Sequence, residues 1–208
     1  MKTRKNWSLP TRFLHVGLVM TVTLQLLISL GMVTPDDKGP QLGKTLFEAH
    51  EIIGLTALAI VLMHWLWSVF NHADGGLKHL FPWRGEARQQ VISEAKGLLR
   101  FEMPEGGVRG GLPGFIHGLG LLAVTGIAVT GGMLFILFPE HGEPGALAEA
   151  FAEVHEGIAT LVWAYWIGHG GIAILHHMSG HDYVRNMFTF SGKGLQKSIV
   201  IEKKSVNH

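Results

Sequence analysis

Four long apolar runs, separated by polar stretches of unequal length, set the plan of the chain. Residues 11–33 (TRFLHVGLVMTVTLQLLISLGMV), 47–70, 113–138 and 153–178 are each apolar for about the 20 residues that a helix needs to cross a bilayer. Ser8 with Pro10 is a helix-start signal, Pro35 and Pro139 close the first and third runs, and Gly180 stands where it can cap the fourth. The first connection, 34–46, is short and polar, with Asp36, Asp37, Lys38 and Lys44. In the longest connection, 71–112, GEARQQVISEAKGLLRF puts Val91, Ile92, Ala95, Leu98 and Leu99 on one side of a helix with charges opposite, the pattern of a short helix lying on the membrane. Trp65 and Trp67, at the end of the second run, fit an interfacial belt. A basic start before an apolar run is also the pattern of a cleaved signal peptide, but this run is too long and lacks an A-x-A site, so it is expected to be a retained anchor. The prediction is an all-α, integral membrane four-helix bundle over residues 1–190, followed by a polar cytoplasmic tail at 191–208.

Composition agrees: 47% hydrophobic and 16% charged residues, with a mean hydropathy of +0.27, make membrane lipid the natural surroundings. The net charge of +1 hides an asymmetry. Of the 17 Lys and Arg, all but Lys38 and Lys44 fall before or at the start of the first span, in the long connection or after the fourth span, so both termini are expected on the cytoplasmic side. The expected location is the bacterial inner membrane, multi-pass, with no nucleic-acid partner. With no cysteine there is no disulfide, no thiolate-held iron–sulfur cluster and no covalent haem attachment. The 13 histidines therefore stand out as the available metal donors.

Their spacing carries the chemistry. His155 and His169 are fourteen positions apart in the fourth span, and His50 and His64 are fourteen apart in the second. Fourteen residues turn a helix to within about 40° of whole turns and climb about 21 Å, so each pair faces one way at two depths. By the charge rule His50 and His155 share an outer tier, while His64, His169, His15 and His117 share an inner one. A zinc or copper transporter would place ligands three or four residues apart so that several reach one ion. The observed spacing instead suits a flat macrocycle at each tier, held by one imidazole from each of two helices. Glycines beside the histidines (Gly17, Gly54, Gly157, Gly168, Gly170, Gly171) would make room for its edge, whereas those of the third span (Gly118, Gly120, Gly126, Gly131, Gly132) read as close helix packing. On spacing alone, His64 pairs with His169.

The segments RFLHVGLVM, FEAHEIIGL and VHEGIATLVWAYWIGHGGIAILHHMSGHDYVRNMF resemble the four-helix di-haem cytochromes b of bacteria. That group includes the stand-alone cytochrome b561 proteins and the membrane subunits of formate dehydrogenase and nickel-iron hydrogenase. The likeness covers roughly residues 10–190, with the third span and long connection matching only in length and character. It implies two non-covalent haem b groups, the outer held by His50 and His155 and the inner by His15 and His169, with His64 a rival to His15.

Two bis-histidine irons have no open position, which points to electron transfer. The expected function is transmembrane electron transfer between a periplasmic redox partner and the quinone pool, either as a subunit of an oxidoreductase or as a quinone-linked oxidoreductase in its own right. Glu140, Glu143, Glu149, Glu153 and Glu156 make the outer mouth acidic, which suits a basic partner such as a cytochrome c or a dehydrogenase subunit; a merely solvated loop gives the same pattern. A quinone needs titratable neighbours, for which His117, His64 and Glu102, with Lys96 and Arg100, are candidates. His176, His177, His181 and Asp182 suggest either a surface metal site or an interfacial helix end. Two alternatives stand beside the main reading: a superoxide:ubiquinone oxidoreductase, with Lys38 or Lys44 as its cationic trap, and a histidine-lined metal transporter.

Overall fold

A computed structural model describes residues 7–34, 38–71, 74, 76–100, 102, 110–138, 144–180 and 183–188. The expected tail at 191–208, together with Pro35, Asp36, Asp37, Pro139, Glu140, Glu143, His181 and Asp182, lies outside these residues. The described residues form helices and no strands: α1 (Leu9–Ser29), α2 (Gln41–Phe70), α3 (Gly76–Leu80), α4 (Gly85–Leu98), α5 (Gly111–Leu137), α6 (Ala146–Met178) and α7 (Tyr183–Phe188). The helices α1, α2, α5 and α6 are long and apolar enough to cross a membrane.

The bundle is two hairpins joined along one seam. Helix α1 packs on α2, α5 packs on α6, and α2 meets α5. At that seam Val61, Leu121 and Val124 are buried with Leu80. The outward faces stay apolar: Leu161 is 63% exposed, Ile167 61% and Ile174 61%, as residues bathed in lipid would be. Four threonine, tryptophan and glycine contacts fix the register. Trp65 Nε1 donates to Thr125 Oγ1 of α5 (2.9 Å) and Trp67 Nε1 to Thr11 Oγ1 of α1 (2.8 Å), so the two indoles expected in an interfacial belt also tie α2 to its neighbours. Trp166 Nε1 of α6 donates to Thr23 Oγ1 of α1 (2.9 Å). Gly120 lies so close to the Tyr165 ring that any side chain there would overlap it.

The helix ends depart from the apolar runs in ways the sequence explains. Helix α1 stops at Ser29 rather than 33, because the chain turns at Gly31 and Val33 N–H donates to Gly43 O (3.1 Å), closing the α1–α2 hairpin. Helix α2 begins at Gln41 and α6 at Ala146, both earlier than the hydrophobic boundary. The added turns, QLGKTLF and ALAEAFA, are mostly good helix formers without a breaking proline, so the helix extends past the apolar segment. At about 1.5 Å per residue, a helix of 33 residues outreaches a hydrocarbon core of about 30 Å. Gly180, at φ +82°, ends α6 with its N–H on His177 O (3.1 Å). The predicted surface helix is α4, with Ile92, Leu98 and Leu99 exposed; Glu94 Oε2 accepts the Leu112 N–H (2.7 Å) and so caps the start of α5.

Candidate functional site

Two cavities lie between the hairpins, one above the other, and Val22 of α1 and Val124 of α5 line both. Each cavity receives histidines from opposite sides.

The outer cavity, about 250 Å³, contains His50 from α2 and His155 from α6. Their ring centres are 6.3 Å apart at an interplanar angle of 77°. Two trans metal–imidazole bonds of about 2 Å, each with about 1.1 Å from nitrogen to ring centre, span about 6.2 Å. The pair therefore already stands at the separation that a bis-imidazole iron requires. Thr130 Oγ1 lies 2.9 Å from His155 Nδ1 and the same distance from Gly126 O. With its single proton on that carbonyl, or on Ile127 O at 3.0 Å, the hydroxyl would accept from His155 Nδ1–H and leave Nε2 with a bare lone pair. A Cβ at Gly131 would stand 3.0 Å from His155 Cε1; this third-span glycine, expected only to pack helices, makes room for the imidazole. Gln25 Nε2 of α1 donates to His50 O (2.7 Å) and passes over Gly54, whose missing side chain makes room for the Gln25 amide; Gly54 also lines the outer cavity.

The inner cavity, about 260 Å³, is larger and more polar at its far end. His15 of α1 and His169 of α6 face each other with ring centres 6.3 Å apart at 65°. The Tyr165 ring stacks on His169 (5.2 Å, 6°). His117 of α5 joins them, with its ring centre 5.0 Å from His169 and 6.2 Å from His15. One ring nitrogen from each of the three lies within 4.8 Å of the others. His64 lines the same cavity, with Nδ1 3.3 Å from Ser68 Oγ on its own helix. Of the glycines expected to clear a macrocycle, Gly157, Gly168, Gly170 and Gly171 meet open space, and Gly170 lines the inner cavity. Gly17 instead packs on Ile60.

Beyond the imidazoles, a polar knot closes the inner cavity. Asp74, 5% exposed, accepts from the Ser8 N–H and hydroxyl, from Thr11 Oγ1 (2.6 Å) and from Asn71 Nδ2 (2.8 Å). Burial raises its pKa, but these hydrogen bonds outweigh burial and hold the carboxyl below the usual range. Ser8 thus precedes α1 as expected but spends its hydroxyl on Asp74 rather than on capping the helix. Beside it, burial lowers the pKa of His79, partly offset by the Asp74 charge. His79 packs edge-on against Trp7 (5.1 Å) and lines the cavity.

Neither Asp74 nor His79 stands out in the amino-acid sequence. The one signal was an acidic residue directly after the second span, on the basic side. Conversely, Glu102, Lys96 and Arg100, suggested as quinone neighbours, sit at the end of α4 and do not line the inner cavity.

A family model described as prokaryotic cytochrome b561 matches residues 6–190. No curated protein and no solved structure matches the chain.

Proposed function

The chain belongs to the prokaryotic cytochrome b561 family, and from that premise we propose that it carries electrons across the bacterial inner membrane through two b-type haems, between a periplasmic redox partner and the quinone pool. In this reading His50 and His155 hold the outer haem, and His15 and His169 the inner one. Family membership supports haem-based electron transfer by a multi-pass membrane protein. The finer assignment is carried by one observation: two imidazole pairs, each at 6.3 Å, in two cavities with a common wall.

Held between paired imidazoles, haem b would supply one-electron chemistry at an iron with no open coordination position. The protein's part is to orient and to insulate. Thr130 fixes the tautomer of His155, and Tyr165 fixes the ring plane of His169. Exposed Glu149, Glu153 and Glu156 give the outer end of α6 a negative field that suits a basic partner. At the inner cavity the Ser68 hydroxyl and the His64 imidazole line the wall and are the groups suited to a quinone head group.

The test is the purified chain in proteoliposomes containing quinone. The expected result is two haem b per chain, two b-type components in the reduced-minus-oxidised spectrum, and reduction of the haems from the quinol pool with delivery to an acceptor on the far side. A chain that binds no haem would overturn the reading, and so would haems that quinol leaves oxidised.

A further inference from the structure

Three imidazoles, rather than two, converge on the inner site, and their separations are unequal in an informative way. His15 stands 6.3 Å from His169 and 6.2 Å from His117, each matching the span of about 6.2 Å that two trans metal–imidazole bonds need. His117 and His169 are only 5.0 Å apart, too close to form such a pair with each other. His15 is therefore the shared partner, and the other two compete for the position opposite it. Resting on the two-haem reading above, we propose that the inner iron has two interchangeable ligands opposite His15: His169 of α6, the resident one, and His117 of α5, a reserve that takes over when His169 is lost or withdrawn.

The residency of His169 follows from its setting. Its ring lies flat against Tyr165, which holds its plane, whereas His117 meets Trp7 and His15 only edge-on (6.4 and 6.2 Å). The exchange replaces one neutral imidazole by another, so no proton or electron is gained or lost. Seen from His15, the centres of the two competing rings lie roughly 45° apart, so the exchange would move the opposing donor by about that angle. Whichever imidazole is not in use must swing out of the macrocycle's way. The open space at Gly170 on α6 leaves the inner cavity room for such an exchange. The outer site differs: among the described residues that line its cavity, the imidazoles are those of His50 and His155.

The consequence is an asymmetry between two residues that a simple bis-histidine site would make equivalent. In the full-length chain purified in detergent, His169→Ala is expected to keep two haems per chain, both six-coordinate and low-spin by electron paramagnetic resonance. His117→Ala is expected to keep both as well. His15→Ala, and the double variant His117→Ala/His169→Ala, are expected to drop to one haem per chain or to show a high-spin inner haem. The outer haem serves as an internal report of folding, and should His169→Ala not accumulate, His169→Gln fills the ring's space without offering an imidazole and carries the same two outcomes. If the unsubstituted chain holds two haems but the His169 variant holds one, or one low-spin and one high-spin, the reserve ligand is wrong and the two-haem reading stands. If the unsubstituted chain itself holds only one haem, the two-haem reading falls and the reserve ligand falls with it.

Discussion

The two histidine tiers share a ring spacing and little else. The outer one is spare: two imidazoles, a threonine that sets the tautomer of one of them, and a glycine that leaves space for it. The inner one is crowded, with three converging imidazoles, a fourth histidine on the wall, and a buried carboxylate knot at its far end. A site that only holds a cofactor needs few polar groups, because each buried one must find a partner. The wealth of such groups at the inner end sets it apart from the outer one and suits the side proposed to meet the quinone.

The largest contrast is expected from removing one ligand in the spare tier. His155→Ala leaves His50 without a partner in its cavity, so haem per chain should fall from two to one, with the inner haem spectrum unchanged; retention of both haems would mean that the outer tier also has a substitute. A milder effect is expected at Thr130. Thr130→Val keeps the shape but removes the acceptor for His155 Nδ1–H, and loss of such a supporting contact typically weakens ligation about 10–100-fold. Haem release from the outer site, followed by transfer to an excess of apo-globin, should quicken while the inner site is untouched.

The smallest effect is one of stability rather than ligation. Asp74→Ala removes the buried acceptor shared by Ser8, Thr11 and Asn71, and should lower the unfolding free energy by about 1–3 kcal/mol. Because the native pKa of Asp74 is lowered, its contribution is fully present above the ordinary carboxylate value of about 4 and is lost as pH falls through the lower native value. Thermal unfolding of the parent and variant should therefore differ at neutral pH and converge in strong acid. A difference that persists unchanged into acid would show that the carboxylate charge is not what holds the knot.

Much of the fold was legible because a bilayer asks one simple thing of a sequence. The four spans follow from apolar length, and the shared facing of His155 and His169 follows from helical period alone. What was not legible is what depends on neighbours distant in sequence. Spacing alone pairs His64 with His169, since period says nothing of which third helix intrudes; the ring of His15 in fact stands opposite His169. Gly54 and Gly131 each make room for a side chain of another helix, Gln25 and His155, and no local pattern announces that. Asp74 reads as a loop acid until the chain start is folded against it. His117 was legible as an inner-tier residue, but its distance to two other imidazoles is a property of packing between α5, α6 and α1.

Val22 and Val124, the partition common to both cavities, carry no group that can take up or release a proton. In the proposed role the partition acts as a dielectric: charge moves through it by tunnelling while water and hydrogen ions are held to either side. An electron crossing it alone moves net charge along the membrane normal and so works with or against the transmembrane voltage, at up to about 2.3 kcal/mol per 100 mV for a full crossing. Two valines would thus make electron flow in this bundle voltage-sensitive, and placing an ionisable side chain at either would threaten to turn an insulator into a leak.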